Sequence, residues 1–171
     1  MANLLSMNAE AARLISSLGL APLPHEGGFF RRTWTAKPVA AGGKSPASTI
    51  LFLITDNDFS ALHALKIDEI WSFHAGDAAE LVTIDPATGS LCVHLLGPNP
   101  PEGDLPHIAV PAGHWQGARL RPGKGQVHGW ALFGCTTVPG WDEGVFELGS
   151  REGLLAKFPA GAEWIKALTR G

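Results

Sequence analysis

From about Gly28 to Phe146 the chain is a succession of short β-compatible runs broken by Gly, Pro, Asn and Asp. That punctuation marks a sandwich or barrel, because alternating βαβ units need helix-length segments between their strands. The runs are Thr49–Thr55, Phe59–Leu65, Glu69–His74, Glu80–Asp85, Leu91–Leu96, His107–Val110, His114–Arg121 and Gly129–Val138. Asp85-Pro86-Ala87-Thr88-Gly89 has the composition of a longer hairpin connection, and the proline-rich segment Gly97–Gly103 cannot pair in a sheet. Lys37–Pro46 reads as a surface loop. With 21 Gly and 13 Pro among these runs, the expected fold is all-β with short flanking helices, closed as a jelly roll whose interior holds a small molecule.

The two ends differ from this middle. Asn8 can cap a helix in which Ala11, Leu14, Ile15 and Leu18 recur at helical spacing, and Gly19 stands where a left-handed stop belongs. A second short helix is expected after Gly161, with Trp164, Ile165 and Leu168 as its apolar stripe. The length of 171 residues fits a single domain. It divides into an N-terminal helix over about 1–20, a β-barrel over about 28–146 and a C-terminal segment over about 147–171.

Hydrophobic residues make up 45% of the chain and charged residues 17%, a balance suited to a packed core and not to disorder. Thirteen Lys and Arg against 16 Asp and Glu give a net charge of -3, with no basic run, which disfavours a nucleic-acid partner. The longest apolar stretch, Thr49–Thr55, falls far short of a membrane helix, so no membrane partner is expected. Glu10 and Arg13 interrupt any signal-like segment, and the chain reads as unexported and cytoplasmic. Cys92 and Cys135 lack CxxC spacing and read as buried thiols in apolar strands.

Alternation along the strands selects candidate site residues. In Phe59–Leu65 it places His63 on a face with Phe59, Ala61 and Leu65. In the next run Glu69, Trp71 and Phe73 share one face, while Ile70, Ser72 and His74 take the other. If the aromatic face looks inward, Glu69 is buried and must find a partner such as His63, Arg31 or a metal ion. If it looks outward, Glu69 is solvated and the aromatics mark an interface between copies.

The segment His63–Glu69, followed by Gly76, resembles the first motif of the cupin superfamily, and Pro111-Ala112-Gly113 resembles the start of the second. His25–Thr33, Ser48-Thr49-Ile50, Asp68–Asp77, Val110–Gly113, Gly134–Trp141 and Phe146-Glu147-Leu148 are together similar to one cupin branch of unassigned function. The resemblance implies a cupin-type double-stranded β-helix, often a homodimer. It also implies a metal site of four ligands, from which this sequence departs. Leu65 stands where the second His of the pair belongs and Gln116 where the last His belongs, leaving His63 and Glu69. A transition metal wants three or more firm protein ligands, so no metal or other cofactor is favoured, although a divalent metal on His63, Glu69 and Gln116 stays open.

Three functions are therefore weighed. One is a metal-independent isomerase or epimerase of carbohydrate-like substrates, with His63 and Glu69 catalytic, by analogy with sugar-nucleotide epimerases on the same barrel. Another is a non-catalytic module that binds or senses a small polar metabolite. The third is a metalloenzyme with an unorthodox site. In each, Arg31, Trp71, Phe73 and Gln116 are candidate ligand-binding residues; Arg31 offers a fork of donors to an anion, or is merely solvated. His25-Glu26-Gly27-Gly28 reads as a bend that needs glycine freedom, or as a turn that touches ligand. His94, His107, His114 and His128 read as structural or exposed. Gly123-Lys124-Gly125 reads as a turn and not a phosphate loop, and no Gly-x-Ser-x-Gly elbow is present.

Overall fold

The computed structural model describes residues 8–123 and 125–171. The first part of the expected N-terminal helix region, and Lys124 of the expected Gly123–Gly125 turn, lie outside the described residues. In chain order the elements are α1 (Ala9–Leu18), β1 (Ala21–Pro22), β2 (Phe29–Thr35), β3 (Ser48–Thr55), β4 (Ser60–Leu65), β5 (Asp68–Gly76), β6 (Ala79–Ile84) and β7 (Leu91–Leu96). They continue with β8 (His107–Val110), β9 (Trp115–Leu120), β10 (Trp130–Val138), β11 (Phe146–Leu148), α2 (Arg151–Lys157) and α3 (Ala162–Ala167).

The strands form two antiparallel sheets. The first is ordered β1-β2-β3-β10-β5-β8 and the second β11-β4-β9-β6-β7. This corrects the expectation of a closed jelly roll or barrel: both sheets are open, and each has two free edges. Among the described residues the one pairing outside the named strands is a parallel bridge from Leu96 to Leu105, beside β7. The edges explain the openness. Strands β1, β8 and β11 are two, four and three residues long, too short to carry a ladder from one sheet into the other. The prolines at 98, 100 and 101 interrupt the chain between β7 and β8 where a continuing strand would be needed.

Three apolar layers hold these parts together. Phe52, Ile54, Trp71, Leu81, Leu96, Ala118 and Phe133 pack between the sheets. Ala11, Leu20, Phe29, Leu53 and Trp130 join α1 to the outer face of the first sheet. Leu62, Val82 and Ile84 meet Leu154, Phe158, Ile165 and Leu168 on the outer face of the second. Strand β4 thus has both faces covered, which is why all six of its residues are buried although their side chains alternate.

Helix α1 has the anticipated caps: the Asn8 side chain accepts from the Glu10 N–H, and Gly19 adopts φ 62°. Helix α2 was not anticipated. Gly153 weakens it, and packing of Leu154 on the second sheet supplies what propensity lacks. Cys135 is buried, but Cys92 is exposed on the edge strand β7, which corrects the reading of two buried thiols. No helix among the described residues is long and apolar enough to cross a membrane.

Candidate functional site

A cavity of about 470 Å³ lies between the sheets, beside their shared core. The first sheet contributes Phe30, Arg32, Glu69 and Trp71, and the second contributes His63 and Phe146. The loop ahead of β2 adds His25 and Glu26.

Glu69 is 7% exposed, so its carboxyl group looks into the molecule. The Trp71 indole N–H donates to Oε2 at 3.2 Å and the Gln116 amide donates to the same oxygen at 2.6 Å. Trp71 also donates to Gln116 Oε1 at 3.0 Å, closing a three-member network. Neither bond reaches Glu69 Oε1. Burial pushes the Glu69 carboxyl up to about 7, with the nearby His63 and the two donors opposing the rise and Glu26 adding to it. The same burial, with Glu69 and Glu26 close by, raises the Cys135 thiol well above its ordinary range, so it stays protonated and is a poor nucleophile.

His63 is 2% exposed and stacks on Phe146, with ring centroids 5.4 Å apart. Its Nδ1 lies 2.8 Å from the carbonyl oxygen of Ala61. A carbonyl only accepts, so Nδ1 carries the proton of that bond, and in the neutral ring Nε2 is the bare nitrogen. Glu26 Oε1 stands 3.9 Å from Nδ1 and accepts from the Ser60 hydroxyl at 2.7 Å.

Glu26 reaches this position on a tight turn. His25 adopts φ 67°, and Gly27 and Gly28 follow at 101° and 69°. A Cβ on Gly27 would collide with the Arg170 guanidinium and the Phe59 carbonyl, so the turn requires glycine there. Arg170 Nη2 donates to the Glu26 carbonyl at 2.9 Å, to Asp58 Oδ1 at 2.8 Å and to the Phe59 carbonyl at 3.1 Å. Its guanidinium also lies over the Phe59 ring, 4.4 Å from the centroid. The wall of the cavity is therefore pinned by a residue 144 positions away in sequence.

The candidate residues do not all meet. His63, Glu69 and Trp71 line the cavity, and Gln116 lies behind them, bonded to two of them. Arg31 does not line it: Phe29 packs beneath α1, and Arg31, two residues on, lies beside Gly19 on that outer side. Arg32 shares the cavity face with Phe30 instead. Phe73 packs edge-on to Phe133 at 6.1 Å, in the part of the interface that the core fills. His74 lies over Gly134, on the side away from Glu69. Arg32, Trp141, Glu143 and Phe146 line the cavity but were not proposed as site residues from the sequence, which named Glu26 only within the His25–Gly28 turn. Alternation from Phe30 points to Arg32, whereas no local signal marks Glu26.

The donors present do not fit a divalent transition metal. Glu69 Oε2 is occupied by two N–H donors, the Gln116 amide nitrogen faces that carboxylate, and Leu65 has no donor at all. Among the described residues no group of three His, Cys, Asp or Glu side chains is placed to hold a metal ion.

Residues 12–149 match the family model described as Cupin superfamily (DUF985). A solved protein from Shewanella oneidensis is 32% identical, with a TM-score of 0.85 over 96% of this chain and 98% of that one. A hypothetical protein from Leishmania major is 30% identical, with a TM-score of 0.85 over 96% of this chain and 100% of that one. Oxalate decarboxylase from Bacillus subtilis, 15% identical with a TM-score of 0.55 over 87% of this chain and 37% of its own, shares the fold alone. No curated protein matches the chain.

Proposed function

The chain belongs to the DUF985 family of the cupin superfamily, and on that premise we propose that it takes a small organic molecule into the Glu26–His63–Glu69 cavity and moves a proton on it without a metal, as an isomerase or epimerase does. The observation that carries this reading is a base and an acid facing one buried space. His63 Nε2 is the base, with Nδ1 committed to Ala61. Glu69 is the acid, and with Oε2 occupied by Trp71 and Gln116 its proton sits on Oε1. Nε2 accepts a proton from a carbon beside a carbonyl, the electron pair moves onto the carbonyl oxygen, and Oε1–H donates to that oxygen. Glu26, 3.9 Å from Nδ1, offsets the charge that His63 acquires. The chain contains no tyrosine, so a phenolic acid is not available and Glu69 fills that part. The walls are mostly apolar (Leu23, Phe30, Ile50, Phe52 and Phe146), which suits a less polar body than a carbohydrate.

Deuterium wash-in tests the reading. Small 2-oxo acids and ketones are incubated with the protein in D₂O and followed by proton NMR. The expected result is protein-dependent exchange of the hydrogen beside the carbonyl, lost in His63→Asn while ligand line-broadening persists. A second reading, binding without turnover, is favoured by the Trp71–Gln116–Glu69 network, which already satisfies one carboxylate oxygen. Line-broadening with no exchange in the native protein would select it.

A further inference from the structure

Among the described residues the exposed guanidinium of Arg32 has no carboxylate within 4 Å, unlike those of three other arginines. Arg119, Arg121 and Arg170 each have a carboxylate within 4 Å, and Arg151 is tied to Thr169. Arg32 lines the cavity, and its guanidinium packs over the face of Trp141, 5.2 Å from the ring centroid. An arginine that packs over an indole without hydrogen bonds keeps N–H donors free, and their fork matches a carboxylate. Glu143 also lines the cavity, but it is exposed and makes no ion pair with Arg32.

Resting on the cavity reading above, we propose that the ligand is a small organic monoanion, its carboxylate held by Arg32 on Trp141 and its apolar body lying between Phe30, Ile50 and Phe146. The charge inventory selects the class. Arg32 is the one Lys or Arg among the cavity-lining residues, while Glu26, Glu69 and Glu143 are acidic. One guanidinium pairs with one carboxylate, and a dianion such as a phosphate ester would bring a second charge near Glu26 and Glu143 with no further Lys or Arg to meet it. At about 470 Å³ the cavity has room for an aryl or branched alkyl acid.

The test uses 3-phenylpropionate and its uncharged amide, of the same shape, titrated against tryptophan fluorescence and confirmed by calorimetry. The native protein is expected to bind the acid at least about tenfold more tightly than the amide, as a charge-assisted pair requires. Arg32→Gln is expected to bring the two affinities together by weakening the acid alone. Arg31→Gln, outside the cavity, keeps the native preference. Equal affinities in the native protein, or a preference that survives Arg32→Gln, overturn the anion assignment and leave the cavity as a ligand site. Failure of both compounds to bind up to about 10 mM overturns the ligand class together with the cavity reading.

Discussion

Gln116 Nε2 donates to Glu69 Oε2 across 2.6 Å, and the bond runs from one sheet to the other. Trp71 completes the link from the first sheet by donating to both partners. Because the sheets share no strand ladder, this network is a directional tie between them inside an otherwise apolar contact.

Replacing Glu69 with Gln is expected to flatten the pH dependence of stability. The carboxyl's ordinary value is 4.5 and its folded value is about 7. Below 4.5 both states hold the proton. Between the two values the folded state keeps a proton that the unfolded state releases, so stability falls as pH rises and the loss is complete above about 7. The native protein should lose at most on the order of 3 kcal/mol across that window from this group. Urea unfolding at about pH 4.5 and about pH 8 measures it; equal slopes in the two proteins would refute the assignment.

Leu65→His with Gln116→His is expected to create metal binding that the native donor set does not support. His63 and Gln116 are cross-strand partners, and Leu65 follows His63 by two residues on β4. The double variant places three imidazoles near Glu69. Elemental analysis should find close to one transition metal per chain in the variant and far less in the native protein. Stoichiometric metal in the native protein would contradict the fit argument.

Arg170→Ala removes the donor that spans the carbonyls of Glu26 and Phe59 and the Asp58 carboxylate. The expected cost is about 1–3 kcal/mol, with hydrogen exchange accelerating in 24–28 before it changes in the sheets. Arg170→Lys should not restore full protection, because it loses the Nε donor to the His25 carbonyl and the guanidinium's contact over the Phe59 ring. Unchanged exchange over that turn would show that the clamp is dispensable.

Phe158→Ala tests the outer layer of the second sheet. Phe158 is 5% exposed and packs with Leu154, Ile165 and Leu168. Denaturant unfolding should register a loss of about 3–5 kcal/mol. A loss below about 1 kcal/mol would mean that the C-terminal helices contribute little to the fold.

The sequence was informative where a physical constraint is local. Alternation in β5 grouped Glu69 with Trp71, and Asn8 and Gly19 marked both ends of α1. It was misleading where distant chain decides. Closure of the sheets depends on which edges pair, and the short β1, β8 and β11 leave no pattern that tells an open sandwich from a closed one. Arg31 and Arg32 are adjacent and both exposed, so a one-residue error in assigning the inner face of β2 exchanged the arginine that lines the cavity for one on the outer side beside Gly19. Glu26 was legible only as part of a bend, since what buries it is Ser60, His63 and a turn held by Arg170.

Because the sheets are open and their polar tie lies at the cavity wall, the spacing between them is a mechanical variable of the site. His63 and Gln116 ride on one sheet, and Glu69, Trp71 and Arg32 on the other. A slip of one layer over the other by about an ångström would move His63 relative to Glu69 without unfolding a strand, at a scale where the proposed proton transfer loses its geometry. Filling the cavity would brace the layers against that slip, so occupancy and alignment rise together.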